Sequence, residues 1–203
     1  LGRITYNFEE DIIASAKTIC KRYKGNQAHA EYLEQMAGKF FDLLQKYHGL
    51  GERERLLLRL AAILHDCGKF ISMSAPGECA YQIIMSTEIL GISHMEREMV
   101  ASIVRYNTME LPNFNEFDGK LGNDEYLIVM KLAAILRVCN ALDRSHRQKF
   151  ADMELTITDS NIVITTAYPD NITLEKKTLQ DKQDFFEEVY GLGFEIKQKK
   201  KKQ

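Results

Sequence analysis

His65 and Asp66 stand side by side at the end of an apolar run, Leu60-Ala61-Ala62-Ile63-Leu64, and are followed by Cys67, Gly68 and Lys69. Two polar groups placed directly after a hydrophobic helix are costly to bury unless something compensates them. An imidazole and a carboxylate together suit a first-row divalent ion, and the lysine suits a phosphate. Gly68 is expected to supply the left-handed residue that closes the helix. Adjacent residues lie about 100° apart around a helix, so His65 and Asp66 share one ion only near a frayed helix end. Two ligands are too few, and the remainder must come from elsewhere in the chain.

His29, near the start of one expected helix, and Asp143, at the end of another, supply that company. With His65 and Asp66 they bring four groups from three helix termini, with imidazoles for affinity and carboxylates for charge neutralisation. An ion held this way lowers the pKa of a bound water and polarises a phosphorus centre. Taken singly, two of these residues have plainer readings. His29 reads as a surface or packed histidine, and Asp143 as a buried carboxylate paired with Arg137 or Arg147. His48 and His94, beside glycine-containing turns, are expected to be exposed. His146 is expected to face substrate or solvent rather than metal.

The elements that must position these groups are mainly helical. Apolar residues at helical spacing predict helices over 8–23, 27–48, 52–66, 79–90, 93–106 and 124–143. Acidic Glu9, Glu10 and Asp11 fall in the first turn of the opening helix, where they complement its dipole. Pro76-Gly77 marks a loop after the His-Asp pair. Residues 108–123, with Pro112, Gly119 and Gly122, read as a long loop lying over the site. Near Phe150 the period changes to two. Met153 to Thr158 and Ile162 to Thr166 flank Asp159-Ser160-Asn161 as a hairpin. A short extended piece around 172–174, a helix over 179–190 and a returning strand at 194–197 follow. The fold class is therefore mainly α: a helical domain over 1–148 and a small α+β carboxy-terminal subdomain over 149–203, too small to stand without docking on the helices.

Composition bounds the rest. The chain has 203 residues, 45% of them hydrophobic and 28% charged, enough for one full core. A net charge of -2 argues against general nucleic-acid affinity, while a local basic patch could still hold a polyanion. The basic run at 197–203 reads as a solvated tail. Cys20, Cys67, Cys79 and Cys139 form no C-x-x-C pair and read as reduced thiols, with Cys67 alone near the proposed chemistry. No apolar run of about 18 residues and no signal peptide is visible, which points to the cytoplasm. The sequence opens at Leu1 without Met and reads as a fragment of something longer.

The order His29, His65-Asp66, Asp143 resembles the H…HD…D signature of the HD superfamily of metal-dependent phosphohydrolases. Three phrases are more particular: the run ending in His65-Asp66; Ile103-Val104-Arg105-Tyr106; and Leu136-Arg137-Val138-Cys139-Asn140-Ala141-Leu142-Asp143-Arg144-Ser145-His146. With the terminal hairpin and Phe185-Phe186-Glu187-Glu188-Val189-Tyr190-Gly191, they resemble the carboxy-terminal helical region of the exopolyphosphatase and guanosine pentaphosphatase family. The resemblance implies an HD-type bundle with a divalent ion (Mn, Mg, Zn or Fe) on His29, His65, Asp66 and Asp143. It further implies Asp66 orienting the attacking water, Lys69 neutralising a phosphate, and Arg105, Arg144 and Arg147 as further phosphate contacts. Where related enzymes with two metals add histidines, this chain has Glu78 and Asn107, a departure that weighs against a second ion. Substrates would be phosphate esters or anhydrides, such as polyphosphate or a guanosine pentaphosphate-like nucleotide. The same likeness also implies an alternative: a non-catalytic polyphosphate-binding and dimerising domain, whose catalytic actin-like domains would precede it in the full-length protein.

Overall fold

A computed structural model describes residues 8–117 and 120–199. The first helix, α1 (Phe8–Arg22), turns Ile12, Ile13, Ala16, Ile19 and Cys20 inward, with its acids in the first turn and Lys21 and Arg22 in the last. Lys24, at φ 52°, and Gly25 stop it. Asn26 caps α2 (Gln27–Leu43) by accepting from the His29 N–H, so the cap itself fixes where His29 stands. The chain bends at buried Leu44, and a short α3 (Gln45–His48) ends at left-handed Gly49.

At the centre is α4 (Glu52–Leu64), in which Leu56, Leu57, Leu58 and every residue from Leu60 to Leu64 are buried. After its charged first turn the helix is apolar on most of its faces, as one that neighbours enclose is, and α1, α2, α6 and α7 pack against it. A 3-10 turn (Cys67–Phe70) follows, then α5 (Pro76–Ser86) and α6 (His94–Thr108), the latter opened by a Ser93–Glu96 capping box. α7 (Asn123–Leu142) runs through the core and ends at Asp143.

The carboxy-terminal part is a three-stranded sheet in the order β1 (Glu154–Ile157), β2 (Asn161–Thr166), β3 (Gly193–Gln198). The first pair is the antiparallel hairpin; β3 lies parallel to β2 after a crossover through α8 (Thr173–Tyr190). Helix α8 docks on α7, where the Tyr190 hydroxyl donates to the Lys131 carbonyl (2.8 Å) and the Phe185 ring carries the Arg137 guanidinium at 4.3 Å. Ile162, Ile164 and Phe186 join the same hydrophobic core as the bundle. The chain is thus mainly α with a small α+β tail. Among the described residues no helix is long and apolar enough to cross a membrane.

Several expectations change. The helix expected over 27–48 is broken at Leu44. His48 is buried, not exposed: its Nε2–H donates to the Phe41 carbonyl, its Nδ1 accepts from the Leu50 N–H (both 2.9 Å), and its ring packs on Phe41. Gly68 is not left-handed. It is needed for close approach, because a Cβ there would lie 1.9 Å from the Pro76 carbonyl oxygen and 2.6 Å from the Ala80 nitrogen. Helix α5 starts at Pro76, a residue suited to the first helical position, and stops at Ser86. The extended piece at 172–174 and the helix from 179 are one helix from Thr173, whose polar first turns hid it.

Among the described residues, the segment after α6 lines a pocket with residues of α7 and α8 and with none of the site residues. It packs beside α7 and α8, with Phe114 and Phe117 against Tyr126 and the Tyr126 hydroxyl donating to the Pro112 carbonyl. Of the basic run, Lys197 and Lys199 pair with Glu195 and Glu154. Residues 200–203, like Gly119 and the opening Leu1, lie outside the described residues.

Candidate metal centre

Three chain segments bring the centre together. The Asn26 cap sets His29 in the first turn of α2, His65 takes the carboxy-terminal cap position of α4, and α7 ends at Asp143. His29, His65 and Asp143 are 2%, 5% and 0% exposed. The His29 Nδ1–H donates to Asp143 Oδ2 at 2.6 Å, and the other Asp143 oxygen accepts from the Gln148 N–H at 2.8 Å. The His65 Nδ1–H donates to the Ala62 carbonyl at 2.7 Å. Each imidazole is therefore anchored through Nδ1, and each turns Nε2 to the same point.

Those two Nε2 atoms are 3.1 Å apart, and His65 Nε2 is 3.3 Å from Asp66 Oδ1. Ligand atoms of His29, His65 and Asp66 all lie within 4.8 Å of one another. Burial, with His29 and Lys69 nearby, pushes the His65 imidazole down to about 4 against the opposing effect of Asp66. His65 is thus neutral at physiological pH. Burial alone would push the Asp66 carboxyl up, but His65 and the bonded Lys69 ammonium outweigh it and hold it low.

Two imidazole Nε2 atoms and a carboxylate oxygen face one point, the carboxylate oxygen also accepting from the Lys69 ammonium. A cation satisfies all three. Two nitrogens about 2.1 Å from one ion stand about 3.0 Å apart across an octahedral edge and about 3.4 Å across a tetrahedral one. The 3.1 Å separation falls between these values, so the residues present fit a divalent ion.

The other expected site residues are distributed as follows. Asp143 reaches the centre through His29, with both its oxygens already partnered. It pairs with neither Arg137, which donates to the Tyr106 and Met109 carbonyls, nor Arg147. Lys69 Nζ is 2.7 Å from Asp66 Oδ1 and remains partly exposed. Arg105 is drawn to Glu78 (2.7 Å) and lies over the Tyr81 ring. Arg144 is exposed, and Arg147 borders a cleft of about 270 Å³ shared with Lys149 and Tyr168. Asn107 is buried with neither end of its amide hydrogen-bonded. Cys67 is buried and its thiol is pushed up to about 12 by that burial, so it is no nucleophile.

Two features escaped sequence reasoning. His146, at φ 55°, stacks on His29 with ring centroids 3.8 Å apart, and its Nδ1 lies 3.5 Å from the Asn26 amide nitrogen. The turn carrying it is tied to α8 by Ser145 and Lys149, which both bond to Glu175. A glutamate in a helix rich in Lys, Asp and Gln gives no sequence signal of being buried. Compared with known proteins, residues 13–184 match the family model described as Ppx/GppA phosphatase, domain III. No curated protein matches the chain.

Proposed function

The chain belongs to the Ppx/GppA phosphatase family, matching its domain III over residues 13–184, and on that premise we propose that it binds a divalent metal ion and hydrolyses phosphate esters or anhydrides. The observation carrying this reading is the convergence of His29 Nε2, His65 Nε2 and Asp66 Oδ1 on one point. His29, His65 and Asp66 hold the ion, and Asp143 fixes the tautomer and orientation of His29, the usual task of a carboxylate behind a ligating histidine. When bound, the ion supplies Lewis acidity to a phosphoryl oxygen and a lower pKa to a water. Asp66, kept ionised beside Lys69, orients that water. Lys69 neutralises a phosphate oxygen, and the exposed Arg144 and Arg147 offer forked donors to the rest of a phosphate chain. Arg105, held by Glu78, takes no part.

A second reading rests on the same pairing. With Lys69 turned to Asp66 and Arg105 to Glu78, two of the expected phosphate contacts are already neutralised. That weakens turnover at the centre, while the exposed Arg144 and Arg147 still suit an accessory domain that guides polyphosphate toward catalytic domains elsewhere. Metal analysis of the purified chain, with phosphate release from polyphosphate, guanosine pentaphosphate and a simple phosphodiester, separates the two. Hydrolysis that vanishes in folded His65→Ala and Asp66→Asn proteins supports the first. Tight polyphosphate binding without turnover supports the second and removes the first.

A further inference from the structure

Glu175, in the first turn of α8, is separated from the metal centre by the hairpin in sequence, yet its side chain is fully buried. The Ser145 hydroxyl donates to its Oε1 (2.5 Å), and the Lys149 ammonium, which also donates to the Asn171 carbonyl, lies 3.0 Å from its Oε2. Ser145 and Lys149 bracket the turn that follows α7. Between them His146 and Gln148 both hold positive φ, 55° and 51°, conformations that side chains rarely adopt and that persist only where the surroundings over-determine them. The same turn performs the work at the centre. Its Gln148 N–H donates to Asp143 Oδ1, its His146 N–H donates to the Asp143 carbonyl, and the His146 ring covers the face of His29.

We propose that Glu175 is a positioning residue for the metal centre, clamping the 143–149 turn at both ends so that Asp143 stays on His29 Nδ1 and His146 on the His29 ring. The carboxy-terminal α+β part is then a component of the site, because its helix α8 supplies the clamp. A plain packing role would not require one carboxylate to bond both flanks of a turn containing two left-handed residues. The consequence for ion affinity rests on the reading of His29 as a ligand; the consequence for the His29–Asp143 bond does not.

The test uses Glu175→Gln, which keeps an acceptor but removes the charge facing Lys149, and the gentler Ser145→Ala, which removes one bond from outside α8. In the metal-free protein the hydrogen-bonded His29 Nδ1–H is followed by NMR, alongside thermal melting, and Mn²⁺ affinity is measured by calorimetry. The expected result is loss of the His29 Nδ1–H signal through faster exchange in both variants while they remain folded. Mn²⁺ binding is expected to weaken about tenfold or more, as for other residues behind a metal ligand. A lowered melting temperature with the His29 proton still protected overturns the proposal, since that is what a purely structural glutamate gives. Loss of the proton signal in a protein that takes up no Mn²⁺ keeps the clamp and removes the metal reading.

Discussion

Replacing Asp143 with Asn changes one atom at the back of the centre, and its effect follows from counting donors. Asp143 accepts twice, from His29 Nδ1–H at 2.6 Å and from Gln148 N–H at 2.8 Å, and is 0% exposed. Asparagine has one acceptor oxygen and a donating NH₂ in the same volume. Either His29 or Gln148 is then left facing a donor with no water to turn to. A buried donor left unmade costs about 1–3 kcal/mol, and for a chain of this size each kcal/mol is about 2–4 °C in Tm. The metal-free variant should melt about 2–12 °C lower. Where Asn turns its oxygen to Gln148, His29 switches tautomer and its Nε2 lone pair is lost to the ion. Mn²⁺ affinity should fall about 10–100-fold, the range for residues that orient metal ligands. Calorimetric titration and thermal melting of the same preparation measure both. Unchanged Mn²⁺ affinity in a folded Asp143→Asn protein would refute the assignment of Asp143 as the group that orients His29.

Four further outcomes follow from the structure. His65 is held neutral by burial, with its folded value lowered to about 4, so the unfolded chain takes up its proton first. The associated stability is present above about pH 6.5 and is lost as pH falls toward 4, amounting to about 3 kcal/mol. Urea unfolding of the metal-free protein across this range should show that slope, and a folded His65→Leu protein should show less of it. Gly68→Ala drives a methyl into the Pro76 carbonyl and the Ala80 nitrogen, both backbone, and should destabilise by about 1–3 kcal/mol or more, read as a lower Tm. Lys69→Ala should raise KM for a phosphate substrate about tenfold or more through loss of a charged hydrogen bond. Arg105→Gln, whose native partner is Glu78, should leave KM unchanged.

Much of the fold is legible because its signals are local and strong. The α4 and α7 patterns are long and apolar, Asn26 and Ser93 are good caps, and the hairpin alternates with period two. The pairing of His65 with Asp66 after an apolar helix is legible for the same reason: two costly groups stand where packing does not want them. Illegible are the features decided by partners far along the chain. Gly68 looks like a helix stop until Pro76 is placed against it, and His48 looks like a turn histidine until Phe41 and Leu50 take both its nitrogens. The first turns of α8 are too polar to show a helical stripe, yet they carry the buried carboxylate that reaches Ser145 and Lys149. The division of labour between His29 and Asp143 is equally hidden, since spacing gives a histidine and an acid but not which of them faces inward.

The most direct measurement is an anomalous difference map from crystals of the chain grown with Mn²⁺, collected at the manganese edge. One strong peak is expected about 2.1 Å from both His29 Nε2 and His65 Nε2 and within bonding distance of an Asp66 oxygen, with Asp143 still on His29 Nδ1. A map with no peak between the two imidazoles, at saturating Mn²⁺ and neutral pH, contradicts the account.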